Sequence, residues 1–158
     1  MKKFYIILIL VFSLLPNYLI LAQANAGFVR GDIWYSKDPF EEGDKIQIYT
    51  MLFNPDSREI SATVIIFDNT TFLGKKDFKL ASKEANDFAI NWTVNAGEHK
   101  IYAKIENAKF LISTGKYEEV YISGNQTEES KRSVNKKIIS NTNLQDSTIK
   151  NNLIDSGT

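Results

Sequence analysis

The chain contains no cysteine and only one histidine, His99, in 158 residues. Without cysteine there are no disulfide staples and no zinc sites built on thiolates, so the fold must rest on a buried apolar core. A lone histidine excludes Cys-His catalysis and any metal site that needs several imidazoles. Charge of one sign is also missing. Nineteen Lys and Arg balance nineteen Asp and Glu, so the chain as a whole has no electrostatic claim on nucleic acid or acidic lipid. Between Asp32 and Ile122 no long stretch repeats its apolar residues at helical spacing, which argues against a helical domain.

What is present begins with an address. Lys2 and Lys3 precede an apolar run from Phe4 to Ala22, which closes on overlapping Ala-x-Ala triplets. That is the form of an export signal. A helix needs roughly 20 apolar residues to span a bilayer, so retention of residues 4–22 as a membrane anchor is the alternative. Pro16 and Asn17 break the run and favour a cleavable signal, with cleavage after Ala24 or Ala26. The expected organisation is a signal peptide over 1–24, one domain over 28–122 and a polar tail over 123–158.

From Asp32 the chain is a succession of short runs rich in Ile, Val, Tyr, Phe, Trp and Thr, separated by Gly, Asn, Asp and Pro. Lys45 to Asn54 alternates, with Ile46, Ile48, Thr50 and Leu52 on one face and Gln47, Tyr49, Met51 and Phe53 on the other. Ile60 to Asp68 resumes after Asn54, Pro55 and Asp56, and the Asp68-Asn69 corner leads into a hairpin partner through Phe72, Leu73 and Gly74. Phe88, Ile90, Trp92 and Val94 form the large side of the next strand. Gly97, able to take positive φ, turns it toward a returning strand with Ile101, Ala103 and Ile105 inward, read as a second hairpin. Ile33 to Ser36 supplies a first strand and Phe110 to Ile122 a last one, interrupted at Thr114-Gly115.

About seven short strands with regular turn signals predict an all-β fold, an immunoglobulin-like antiparallel β-sandwich, with a small barrel as its rival. The expected core is Trp92 at the centre, with Ile48, Phe88, Ile90, Ile101 and Ile105. Trp34, Tyr35 and Phe40 are less clearly patterned and are candidates for exposure.

Three runs occur in a recognisable order: PFEEGDKIQIYTMLFN from Pro39, IIFDNTTFLG from Ile65 and INWTVNAGEHKIYAKIEN from Ile90. Together they resemble the CARDB-type domain, the cell-adhesion-related immunoglobulin-like module of bacterial exported proteins. Gly43, Asn54, Asp68, Gly74, Trp92 and Gly97 carry the likeness, over roughly Asp32 to Ile122. These are scaffold residues. The resemblance implies a noncatalytic module for adhesion, protein-protein interaction or cell-envelope assembly, and it supplies no catalytic residue. Such modules often stand in tandem or beside a catalytic domain or anchor, whereas one copy is legible here.

The remaining chemistry is sparse. No Gly-x-Ser-x-Gly elbow accompanies His99, which reads as a rim histidine at the start of a strand. Asp38, Glu41, Glu42 and Asp44 cluster in one loop, but their spacing fails the calcium-loop template, so a solvated acidic loop is expected. Asn69, Asn91 and Asn125 stand in Asn-x-Thr sequons, which would be glycan acceptors in a eukaryotic secretory pathway and are accidental in a bacterium. From Ser123 the composition turns to Asn, Ser, Thr, Lys and Gln, expected to be a flexible tail in which Ser130 to Ile139 forms at most a transient helix. The reading is therefore an exported binding module with no catalytic, cofactor or metal residues. Its partner is a protein or an envelope glycan, not nucleic acid, with the membrane involved only if residues 4–22 are retained. A tethered accessory domain is one alternative and a carboxylate-dependent hydrolase the enzymatic one.

Overall fold

Alternation builds two sheets, seen in the computed structural model, which describes residues 22–29 and 33–138. In chain order the strands are β1 (Ala22–Ala24), β2 (Gly27–Phe28), β3 (Trp34–Tyr35), β4 (Lys45–Phe53), β5 (Ile60–Asp68), β6 (Thr71–Leu80), β7 (Ala85–Thr93), β8 (Gly97–Ser113), β9 (Lys116–Ile122) and β10 (Ser130–Val134). The larger sheet runs β1-β9-β8-β5-β6, with β10 also paired to β8. The smaller runs β2-β4-β3, with β7 on β4. Every pairing is antiparallel except that of β1 with β9.

Strand β4 shows how sequence becomes layer. Its residues Ile46, Ile48, Thr50 and Leu52 are buried between the sheets, while Lys45, Gln47 and Phe53 face out. Strand β5 buries Ile60, Ala62, Val64 and Ile66 against them. Phe110, Ile48, Leu52, Ile60, Ile66, Leu80 and Ile101 are the large side chains fully enclosed at the centre. Of the expected core, Ile48, Phe88, Trp92, Ile101 and Ile105 are buried and Ile90 is half-buried. Ile90 lies where the sheet edges meet: a Cβ added to Gly74 of β6 would stand 3.3 Å from Ile90 Cγ2 of β7.

Trp92 is not the hub of this core. It packs edge-on to Phe40 at 5.5 Å and to His99 at 5.1 Å, in a cluster with Tyr35 beside the loop from Ser36 to Asp44. Phe40 is buried and Tyr35 half-buried, so of the three unpatterned aromatics only Trp34 is exposed.

The second expected hairpin does not form. Strand β7 pairs with β4 in the small sheet, whereas β8 pairs with β5, β9 and β10 in the large one. The turn at Gly97 (φ +136°) therefore carries the chain from one sheet to the other. Two expected strands merge into β8, which runs unbroken through the register shift opposite Ser61 and Thr63, where Asn107 has φ +55°. Beyond it, Thr114 and Gly115 turn β8 into β9.

The expected tail is structured over its first part. Thr127 N donates to Ala103 O at 3.0 Å and Thr127 Oγ1 accepts from Ala103 N at 2.9 Å. β10 then pairs with the opening of β8, Ser130 opposite Ile101 and Val134 opposite Gly97, so Ser130–Val134 is strand rather than helix. Only Thr127 and Val134 are buried there, which is why the segment looked solvated: its attachment is carried by the backbone, and composition does not record that. The rest of the tail, 139–158, lies outside the described residues. So does the expected signal or anchor up to residue 21, whereas Ala22–Ala24 form β1, and Ala24 and Ala26 are buried.

Candidate functional site

The only imidazole is enclosed rather than at the rim. His99 is 6% exposed, with Nδ1 2.6 Å from Asp68 Oδ2 and Nε2 2.9 Å from the carbonyl oxygen of Asn95. Both ring nitrogens face acceptor oxygens. Asp68 Oδ1 also accepts from Lys100 N at 3.2 Å and from Asn69 Nδ2 at 3.1 Å. Asn69, with φ +54°, donates its own N–H to Lys100 O at 2.9 Å. Together these bonds join the end of β5 to the start of β8. His99 faces no nucleophile, and its polar atoms are committed to the scaffold.

The acidic loop is neutralised from within the chain. Asp44 accepts from Lys37 Nζ at 2.6 Å and from Glu41 N at 2.8 Å, and these bonds hold its carboxyl below the usual carboxylate range. Arg132 of β10 reaches Asp38 at 3.1 Å, Lys137 N donates to Glu42 at 2.6 Å, and Lys137 Nζ lies 4.0 Å from Glu41. Tyr35 donates to Ser130 Oγ at 2.9 Å, and burial pushes its phenol pKa up despite that bond and the nearby Arg132. Among the described residues no group of three or more His, Asp or Glu is placed to hold a metal ion.

Asn54 is a third polar anchor, fully buried. Its Nδ2 lies 2.8 Å from Arg58 O, 3.1 Å from Leu80 O and 2.9 Å from Ala81 O, while Oδ1 accepts from Asp56 N at 3.1 Å. One side chain thus secures the ends of β4, β5 and β6.

The outward face of the small sheet is different, because it displays aromatic rings to solvent beside polar groups that are bonded mainly to one another. Trp34 of β3 stands opposite Tyr49 of β4, and their rings stack 5.7 Å apart at 7°. Trp34 is 37% exposed. Tyr49 OH donates to Gln47 Oε1 at 2.6 Å, and Gln47 Nε2 points to Asn91 Oδ1 of β7 at 3.4 Å. Gln47 is held further by its N–H, which donates to Ser36 Oγ at 2.9 Å. Ser36, Lys45, Gln47, Asn91 and Thr93 border an open hollow at this end. Toward the other end, Met51 is half-buried and Phe53 and Val29 are exposed. Sequence reasoning placed Gln47, Tyr49, Met51 and Phe53 together on one strand face. It missed Trp34 and Asn91 as their neighbours, because cross-strand register is a tertiary fact.

No family model and no curated protein matches this chain. Among solved structures it is similar to the CARDB domain of the PF1109 protein from Pyrococcus furiosus, a domain solved in complex with di-metal ions. The TM-score is 0.54 at 18% identity, over 75% of this chain and 94% of that one. The solution structure of the same domain gives 0.54 at 16% identity, over 73% and 98%. The chain therefore has the immunoglobulin-like β-sandwich fold of the CARDB domain.

Proposed function

We propose that this chain is a noncatalytic exported module that engages another envelope component through the outward face of its small sheet, in adhesion, protein-protein interaction or cell-envelope assembly. The observation that supports this reading is a contrast. The polar groups of His99, Asp68, Asn54 and Asp44 are occupied by the chain's own donors and acceptors, while Trp34 lies open beside Tyr49 and the amides of Gln47 and Asn91. A hydrolase built on carboxylates needs a convergent pair, and the loop acids are each met by a cation or a backbone N–H.

A second reading, a membrane-tethered domain retaining residues 4–22, is favoured by one observation. Ala22–Ala24 pair with Val120–Ile122, and Ala24 and Ala26 are buried, so cleavage after Ala24 or Ala26 would remove strand β1. The test is the intact mass of the protein in soluble and membrane fractions of the producing cell, followed by crosslinking from the surviving form. A soluble species beginning at Asn25 or Gly27 supports the secreted module, and a membrane-bound species retaining Met1 supports the tether. Turnover of a glycan or peptide substrate that disappears in Asp38→Asn or Asp44→Asn would overturn the noncatalytic reading.

A further inference from the structure

We infer that the face bearing Trp34, Tyr49, Gln47 and Asn91 is a binding site for a neutral, β-linked glycan of gluco-configured pyranoses. This rests on the binding-module reading above and names its ligand class.

The chemistry of the face selects that class. A gluco-configured pyranose carries its hydroxyls equatorially, so its ring presents axial C–H groups above and below and a rim of paired donors and acceptors. A surface that recognises it supplies an aromatic ring for the C–H face and amides for the rim. Trp34 supplies the ring, braced by Tyr49 at 5.7 Å. Gln47 and Asn91 supply the amides in adjacent register on β4 and β7. The Tyr49 hydroxyl fixes Gln47, so part of the ordering cost of binding is met before the ligand arrives. Asn91 is exposed and uses Oδ1 as an acceptor, which leaves its amide hydrogens for a ligand among the described residues.

The arrangement also extends along the strand. Phe53, 37% exposed, lies on the same face of β4 as Tyr49, four residues on and about 13 Å away at strand rise. A linear glycan meets two aromatic stations on that track. Trp34, Tyr49, Gln47, Asn91, Met51 and Phe53 are neutral; the charged groups of β4 and β7 on this face are the exposed Asp87, opposite Met51 between the two aromatic stations, and a single cation, Lys45, at one end, so the face is not one that gathers positive charge for an anion. The aromatic row of the large sheet, Phe72, Phe67 and Tyr102, differs on this point. Lys75 and Lys104 flank the adjoining Ile65 there, and the row serves as the control face.

The test is titration of the whole chain with cellohexaose and with chitohexaose, read by calorimetry and by tryptophan fluorescence. Trp34 is exposed and Trp92 is 6% exposed, so a ligand-induced change reports on Trp34. The expected result is saturable binding of at least one hexaose. Affinity should fall at least about tenfold in Trp34→Ala and severalfold in Gln47→Ala and Asn91→Ala, and stay unchanged in Phe72→Ala. If Trp34→Ala does not melt cooperatively, the two amide variants carry the comparison. Absence of binding to both hexaoses by the folded chain overturns the inference, as does binding indifferent to Gln47→Ala and Asn91→Ala. Self-association in sedimentation that vanishes in Gln47→Ala would assign the face to a second copy and overturn the glycan site while leaving the module reading intact. Hydrolysis of a bound hexaose would do the reverse: it would sink the noncatalytic reading and keep the site.

Discussion

His99 and Asp68 are 31 positions apart in sequence and 2.6 Å apart in space, and their contact ties the end of β5 to the start of β8. Asp68 accepts from Lys100 N and Asn69 Nδ2 as well, and Asp68→Ala removes all three contacts, although Asn69 Nδ2 keeps a second acceptor in Glu98 O at 3.1 Å. The expected loss is about 1 to 3 kcal/mol, chiefly from the buried His99 ring nitrogen left without its acceptor. Urea unfolding of the variant measures it. A loss below about 0.5 kcal/mol would show that water replaces the carboxylate.

Trp92→Ala is expected to cost about 3 to 5 kcal/mol, because the indole is buried against Phe40, Tyr35 and His99. The cluster also supports the Ser36–Asp44 loop. Amide exchange should therefore quicken at Glu41 to Asp44 before it quickens in β5, and uniform quickening would place Trp92 in the global core instead.

Thr50 faces inward on β4, and its Oγ1 is buried with no hydrogen-bond partner. Thr50→Val replaces that hydroxyl with a methyl of similar size. It should raise stability by about 1 kcal/mol, seen as a higher urea midpoint at unchanged slope. A lower midpoint would mean that the hydroxyl has a partner, such as bound water.

The phenol of Tyr35 has its pKa raised by burial, against the opposing pull of Ser130 and Arg132. The folded chain therefore keeps this proton at pH values where the unfolded chain has begun to release it. The resulting stability is fully present below about pH 10, the ordinary tyrosine value, and is lost as pH rises through the folded value. Tyr35→Phe removes this contribution, so its melting temperature should fall less steeply than that of the parent chain between about pH 9.5 and 11. Parallel slopes would show that the phenol titrates alike in both states.

Truncation after Ile122 is expected to lower stability by at least about 2 kcal/mol. It removes the buried Val134 and Thr127 and unpairs the opening of β8. An unchanged melt would show β10 to be dispensable.

How much of this was legible depended on whether side chains or backbone did the work. The burial of Ile46, Ile48, Thr50 and Leu52 follows from period two, and the Asp68-Asn69 corner from turn chemistry. Strand β10 was illegible because its polar residues face solvent and its pairing uses N–H and C=O groups that every residue carries. The hairpin expected at Gly97 failed because a short turn between two alternating strands does not say whether they share a sheet or face each other across the core. For His99, position beside a turn suggested exposure, but its two hydrogen-bond partners depend on a contact 31 residues back.

The 17 residues of β8 pair with β9 at one end and β10 at the other, and β1 lies along β9. The first and last strands in chain order, β1 and β10, both run against the direction of β8. A pull on the chain at Ala22 and at Val134 therefore acts along the strand axis in opposite senses. The rungs holding β1 and β10 carry that load side by side, in shear, rather than opening one after another as in a zipper. For a domain strung between two attachments, this is the orientation that resists tension.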